Sequence, residues 1–578
     1  MSKSSKVLPL KPKGRRLSRS SNLIQWRLLV IGVLLLVAIV TLVARLYFLQ
    51  IINAPTLASQ AARQQTIELR PFVPRRPIVD AQGNILALDR PAYTLYAHPK
   101  LFTEEPRQVA DRLAFILQEP AAKLLAKLSQ AESGIKLAQG LTEEQGQQIR
   151  KLNNNGLELS PDYARIYPQQ DLAAAVLGYV NEEHQGQAGL EFSQQKLIQG
   201  RSRPILARQT GRGQVLPDLV DLGELNFDDR RLMLTLDSRI QRAARTALAK
   251  AMGQFQAKRG AVVVMDVQDG SLLSLVVEPT FNPNQYYKSA IDRFKNWAVS
   301  DPYEPGSTFK PLVVAIALDA QTIQPETIIN DSGRINIGED TIFNSDRSGR
   351  GDMTLTDVLA FSSNVGMVKI AQTMPPKTYY EWLKKIGLGS TSGVDLPFET
   401  PSTIRSEAEF IKTRIEPATT AFGQGFALTP IQLTRAIASL ANGGKLVTPH
   451  VIKGLANERN QLEWTATYPE PVQVFRPETA RRVLTMMEKT VEYGTGKPAQ
   501  IPGYRVAGKT GTAQKASSSG GYSRFALVAS FVGVIPADQP RYVVLGVVDE
   551  PKGNVHGGTA AAPMVREVME AVLSVKQL

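Results

Sequence analysis

Seventeen consecutive residues, Leu28 to Ala44 (LLVIGVLLLVAIVTLVA), carry no charged side chain. As a helix rising about 1.5 Å per residue they reach roughly 25 Å, and the flank RLYFLQII at 45–52 extends the span to membrane thickness. The 27 residues ahead hold eight Lys/Arg (Lys3, Lys6, Lys11, Lys13, Arg15, Arg16, Arg19 and Arg27) and no acid. A basic flank of this kind stays on the cytoplasmic side, so the chain after about residue 50 is expected across the membrane. The competing reading is a cleaved signal peptide, whose apolar core is usually about 7–15 residues and whose basic region is short. Small residues around Ala54 to Ala61 would give a place to cut. The expectation is a basic cytoplasmic tail at 1–27, an uncleaved single-pass anchor at 28–47 and a large extracytoplasmic part.

A chain of 578 residues is too long for one ordinary domain and implies two or three. The net charge of +14 invites a nucleic-acid reading, but the tail accounts for eight of it and leaves +6 on the other 551 residues. No zinc-finger, RNP or basic-zipper pattern accompanies it, so no nucleic-acid partner is expected. There is no cysteine, which excludes disulfides, thiolate metal sites and a cysteine nucleophile. The four histidines, His98, His184, His450 and His556, form no close-spaced pair of the H-E-x-x-H kind, so a helical zinc site is not expected.

Past the anchor, RPFVPRRPIVDAQGNILAL reads as an extended, proline-broken stretch, a turn at Gln82 to Asn84 and a strand. Residues 100–155 read as helical and polar, and short mixed elements follow to about 225. Residues 48–225 hold no compact catalytic set and read as a non-catalytic spacer or docking module. From 226 the texture changes. Strand and helix alternate through RRLMLTLDSRIQRAARTALAKAM, and GAVVVMDVQDGSLLSLVVE reads as a hairpin turned at Gln268 to Gly270. Helices are expected at 307–320, 354–361, 366–374, 430–442 and 477–492. Three strands (YRVAGKTGTAQ, FALVASFVGVIP, RYVVLGVVDEP) and a helix (TAAAPMVREVMEAVLSV) close the chain. Successive strands with short links imply an antiparallel sheet flanked by helices, an α/β (α+β) class, over 226–578.

Three stretches carry chemistry. In SDPYEPGSTFKPLVVAIAL, Pro311 fits a helix only in its first turn, so the helix begins near Ser307 with Lys310 one turn on, on the same face. A hydroxyl and an amine so placed can be a nucleophile and its base, or merely a helix cap and a solvated lysine. A second S-x-x-K, Ser193 to Lys196, has nothing chemical around it. In FSSNVG, Ser362 and Asn364 stand two apart and share a site only if this is a loop between helices. In AGKTGTAQ, Lys509 beside the hydroxyls of Thr510 and Thr512 suits a carboxylate, unless it is an edge strand with a solvated lysine. Gly511 inside a strand costs stability unless another backbone approaches closely.

The three in this order, Ser307-Lys310, Ser362-Asn364 and Lys509-Thr510-Gly511, are the signature of penicillin-binding proteins and class A β-lactamases. Ser363 stands where the common form has Asp. EPGSTFKP, SSNVG, GQGFALTPIQL, AGKTGTA and FNPN all resemble the class B penicillin-binding proteins. RRPIVDAQGNILA resembles their R-G-x-I-x-D-x-x-G box, with Pro77 where Gly is usual. The resemblance covers nearly the whole chain and is strongest to the division-specific members.

It implies a serine transpeptidase-like domain at 226–578 behind an elongated pedestal or dimerisation-type module at 48–225. It implies a peptidoglycan D,D-transpeptidase acting on D-Ala-D-Ala pentapeptide stems at the septum, without cofactor, and covalently inhibited by β-lactams. Ser307 would be the nucleophile and Lys310 its base, with Ser362 and Lys509 relaying the proton. Asn364 would hold a substrate amide, Thr510, Gly511 and Thr512 the terminal carboxylate, and the N–H groups of Ser307 and Thr512 the oxyanion. No E-x-x-L-N box lies between Ser362 and Lys509, which favours transferase over hydrolase. No G-x-S-x-G surrounds Ser307, which argues against a Ser-His-Asp triad. His556, in KGNVHGGT, reads as a solvent-facing loop residue or a substrate-lining one. An elongation-specific transpeptidase and a β-lactam sensor or silent scaffold are the alternatives. The resemblance also implies division proteins and a SEDS-type glycosyltransferase as membrane partners, and an inner-membrane location with the catalytic domain periplasmic.

Overall fold

The computed structural model describes residues 20–69, 74–199, 205–208, 229–516, 521–553 and 555–577. Contacts divide the chain into two compact units. In the first, a helix spans Ser20–Tyr47 and runs on as a π-helical turn, Phe48–Ile52. Residues 25–52 form a helix long and apolar enough to cross a bilayer, and its apolar run is exposed throughout. A helix Ala54–Gln65 follows, and the strand Thr66–Leu69 pairs antiparallel with Ile205–Arg208.

The second unit holds two large sheets. The five-stranded sheet is antiparallel throughout, in the spatial order Ala507–Ala516, Tyr522–Ile535, Tyr542–Asp549, Arg259–Asp266, Leu272–Glu278. Its sequence is almost continuously apolar because both faces are covered. Along GAVVVMD, Ala261, Val263 and Met265 enter a core shared with the helices Lys310–Asp319, Pro430–Ala441 and Pro477–Glu492. Val262 and Val264 point the other way, into a core shared with Ser238–Phe255 and Gly557–Lys576. That alternation is the period of two of a strand. The expected antiparallel sheet between helices is therefore present, and four of the five expected helices lie within two residues of their expected ends; the fifth starts at Lys310 rather than 307, behind the 3-10 turn Gly306–Phe309.

The other sheet, of seven strands, is mixed. In it Ile78–Val79 pairs in parallel with Arg231–Leu234 and antiparallel with Ile85–Ala97. The I-x-D turn cements this junction. Asp80 is fully buried, and its carboxylate accepts from the backbone N–H of Gln82, Asn84 and Ser238 and from the Asn84 amide. Arg75, Arg165, Glu191 and Asp89 form a buried ion network beside it. Asn284 of the FNPN stretch exchanges two 2.9 Å hydrogen bonds with the Tyr167 backbone.

Residues 100–155 depart from the helical expectation. The strand Ile135–Leu141 interrupts the helices and pairs with Ile85–Ala97. Its Ile135, Leu137 and Leu141 are buried, so a short period-two pattern prevailed over a helix-forming composition.

Candidate active site

Ser307 sits in a 3-10 turn, Gly306–Phe309, that runs directly into the helix Lys310–Asp319, with Pro311 in its first turn. The turn is held from below. Phe309 and Phe426 meet edge-on at 4.7 Å, and Gly306 N–H donates to Gly423 O at 2.9 Å. A Cβ on Gly423 would lie 2.0 Å from Gly306 O, so the G-Q-G loop must carry glycine there to seat the serine's turn. Ser307 is half-buried, and among the described residues its hydroxyl makes no hydrogen bond.

Lys310 is fully buried one residue into the helix. Its Nζ donates to Ser362 O at 2.7 Å and Asn364 Oδ1 at 2.8 Å, and lies 3.2 Å from Ser362 Oγ. The Asn364 amide faces that way because its Nδ2 donates to Phe343 O at 2.9 Å. Ser362 and Asn364 lie, as expected, where one helix (Leu355–Ala360) ends and the next (Asn364–Gln372) begins. Ser362 has φ +60°, a left-handed conformation uncommon for a side-chain-bearing residue. Ser363 caps the second helix, its Oγ accepting from Gly366 N–H at 2.8 Å. Asp can cap a helix in the same way, which explains the exchange in this motif.

Lys509, Thr510, Gly511 and Thr512 lie on the strand Ala507–Ala516, at the edge of the five-stranded sheet. Lys509 is fully buried, not solvated, and its Nζ reaches Ser362 Oγ at 3.0 Å and Thr510 O at 3.1 Å. Both lysines therefore bracket one hydroxyl. A Cβ on Gly511 would lie 2.8 Å from Thr308 Cγ2 and 3.0 Å from Pro305 O, so glycine lets this strand close on the turn that carries Ser307. Thr512 Oγ1 accepts from Gly557 N–H at 3.1 Å, which ties the strand to the start of the closing helix.

Burial dominates the electrostatics. It drives Lys310 well below the usual lysine range, and the positive charge of Lys509 pushes the same way, while Asp331 opposes. Burial alone takes Lys509 from 10.5 to about 7. A neutral Lys310 has two N–H bonds, enough for the two carbonyl-type oxygens it touches. Its lone pair is then left for a hydroxyl proton. The structure does not bring Ser307 Oγ into a hydrogen bond with Lys310; it brings Lys310, Ser362, Asn364 and Lys509 together.

Residues without a motif complete the site. Thr495 Oγ1 is 2.9 Å from Thr510 Oγ1, and its N–H donates to Ala360 O at 3.0 Å, which links the motif strand to the S-x-N loop. Asn344 and Asp331 lie behind Asn364. None of Thr495, Asn344 and Asp331 was expected from the sequence; the two glycines flanking Thr495 in YGTG are the one signal of close approach that could have pointed there. His556 is exposed at the head of the closing helix. The second S-x-x-K has no chemistry near it: Ser193 Oγ donates to Asp395 O. No group of His, Cys, Asp and Glu suited to a metal occurs among the described residues.

Residues 260–570 match the penicillin binding protein transpeptidase domain, and residues 72–204 the penicillin-binding protein dimerisation domain. A peptidoglycan D,D-transpeptidase FtsI homolog of Mesostigma viride is 38% identical over 559 residues, 93% of this chain and 94% of that protein. The peptidoglycan D,D-transpeptidase FtsI of Escherichia coli strain K12 is 30% identical over 97% of this chain and 94% of its own length. Among solved structures, a peptidoglycan synthetase from Bifidobacterium adolescentis superposes with a TM-score of 0.69 at 26% identity, covering 89% of this chain and 97% of that one. Penicillin binding protein 3 from Mycobacterium tuberculosis, solved with aztreonam, gives 0.67 at 25% identity, with coverages of 89% and 97%. A buried pair of lysines around one serine, behind a helix-start serine and over this length of likeness, makes the chain a member of the class B penicillin-binding proteins.

Proposed function

We propose that this protein is the septal peptidoglycan D,D-transpeptidase of its cell, cross-linking stem peptides through an acyl-enzyme on Ser307. The observation that carries the chemistry is the Ser362 hydroxyl, 3.2 Å from Lys310 Nζ and 3.0 Å from Lys509 Nζ. Ser307 Oγ attacks the carbonyl between the two terminal D-alanines as neutral Lys310 accepts its proton. The proton passes by Ser362 and Lys509 to the nitrogen of the departing D-alanine. Asn364 aligns the donor's amide, and Thr510 and Thr512, with Gly511 between them, receive the terminal carboxylate. The N–H groups of Ser307 and Thr512 take the developing oxyanion, a contribution of about 3–4 kcal/mol per donor in comparable sites. An amine of a second stem then takes the acyl group, and no cofactor enters.

β-Lactams offer the same carbonyl and carboxylate and acylate Ser307. The basic tail sets the helix at 25–52 with its N-terminus in the cytoplasm and the catalytic unit in the periplasm. Division proteins and a SEDS-type glycosyltransferase are the partners of the anchor and of residues 48–225. The septal assignment rests on the FtsI relatives. Depletion followed by microscopy tests it: filamentous cells are expected, and rounded cells would assign the protein to elongation instead. Release of D-alanine from a pentapeptide stem with formation of a cross-link tests the reaction itself, and a folded protein that releases none would contradict it.

A further inference from the structure

Behind the S-x-N loop lies a buried polar chain that no catalytic step uses. Asp331, at the end of the strand Ile328–Asp331, is fully buried, and Asn344 is 3% exposed. Asn344 Nδ2 donates to both Asp331 carboxylate oxygens at 2.8 Å and to Ser348 O at 2.8 Å. Its Oδ1 accepts from the N–H groups of Asn364 at 2.8 Å and Val365 at 3.2 Å, and from Ser363 Oγ at 3.4 Å. A carboxylate only accepts, so Asp331 dictates which end of the Asn344 amide faces it. The oxygen end is thereby turned to the first N–H groups of the helix Asn364–Gln372, donors that have no partner within that helix.

A buried carboxylate is costly to leave without a cation. Among the described residues, no Lys, Arg or His comes within 4.0 Å of Asp331. It is satisfied instead by Asn344 and by Gly333 N–H at 2.9 Å. The charge it acts on is that of Lys310, whose proton it helps retain against burial and Lys509. The other charged groups nearby are already engaged. Lys369 donates to Asn330 O at 2.6 Å, Asp352 accepts from the Asn330 amide, and Arg350 pairs with Asp346.

We propose that Asp331 is a positioning residue of the transpeptidase site. Through Asn344 it fixes the start of the helix that carries Asn364, and with it Ser362 against Lys310, while its carboxylate works against burial and Lys509 to keep the Lys310 proton. This rests on the transpeptidase reading above.

The test is the rate of acylation by a fluorescent penicillin, followed from acid to alkaline pH on the full chain in detergent, with thermal unfolding alongside. Asp331→Asn slows acylation by roughly tenfold or more through misplacement of the loop. It also moves the acid limb of the profile to lower pH, because Lys310 loses its proton more readily without the anion. Asn344→Ala slows acylation comparably and leaves the limb in place, because Asp331 keeps its charge. A folded Asp331→Asn protein with an unmoved limb overturns the inference, whatever its melting temperature. Should that variant fail to fold, Asp331→Glu keeps the charge and displaces the carboxylate; a slowed rate with an unmoved limb is then expected, and a wild-type rate overturns the inference. Wild-type protein that takes up no penicillin contradicts the transpeptidase reading itself.

Discussion

Lys310 and Ser362 meet twice: the lysine Nζ donates to the backbone carbonyl at 2.7 Å and stands 3.2 Å from the hydroxyl. The left-handed backbone of Ser362 accompanies both contacts. The lysine is thus held by fixed acceptors, and its protonation state is set mainly by burial, with Lys509 adding to it and Asp331 opposing.

Lys310→Arg keeps a donor and removes any proton acceptor at this position, since a guanidinium stays charged at every accessible pH. Acylation by penicillin is expected to fall by roughly 10²–10⁴-fold, the usual worth of a positioned proton acceptor. Stopped-flow or gel-based acylation rates check it. A variant within a few-fold of wild type would remove Lys310 from proton transfer.

Lys509 titrates at about 7 in the folded protein and at 10.5 when exposed. Between those values the unfolded chain binds the extra proton, so stability rises with pH across that window, and the penalty is complete below pH 7. Lys509→Met is therefore expected to melt higher than wild type at neutral pH, by about 2–4 °C or more, and to lose most of its acylation rate. The gap in melting temperature should narrow as pH rises above 7. A lower melting temperature for the methionine variant would show that the buried ammonium is stabilised by its contacts.

The same titration bears on activity. If cationic Lys509 serves the carboxylate and the leaving nitrogen, acylation by the free protein declines as pH rises through about 7. Lys509→Arg, charged throughout, shifts that decline out of range even if its rate is lower. A wild-type profile flat above pH 7 would assign both tasks to the hydroxyls.

Gly511→Ala places a methyl group 2.4 Å from Ser530 Oγ and 2.8 Å from Thr308 Cγ2, forcing the motif strand away from the serine's turn. A displacement of about 1 Å in such a site costs on the order of 10²-fold in rate. Acylation should fall by that order with far-ultraviolet circular dichroism unchanged, and an unchanged rate would show that the strand can shift freely. Ser363→Ala removes a helix cap and should cost about 1 kcal/mol, the usual value, read from denaturant unfolding.

The motif residues were legible because their chemistry forces residue type and spacing together. Lys509 required the structure to separate a solvated edge lysine from a buried one. Asp331, Asn344 and Thr495 were not legible. Asn344 and Thr495 reach the site by hydrogen bonds, and Asp331 only through Asn344, from strand-end, loop and helix-end positions that no short pattern marks. The five-stranded sheet could be read because its strands are long, apolar and mostly consecutive. The mixed sheet could not, since the pairing of Ile78 with Leu232 joins residues far apart in sequence. Ile135–Leu141 escaped because its alternation is short and set among good helix formers.

The central claim, an acyl-enzyme on Ser307, is tested most directly by the intact mass of the protein after incubation with a penicillin, beside Ser307→Ala. The account predicts a lasting gain of one drug mass in the wild type and none in the variant. Rapid loss of the drug without an adduct, or an adduct that persists in Ser307→Ala, would contradict it.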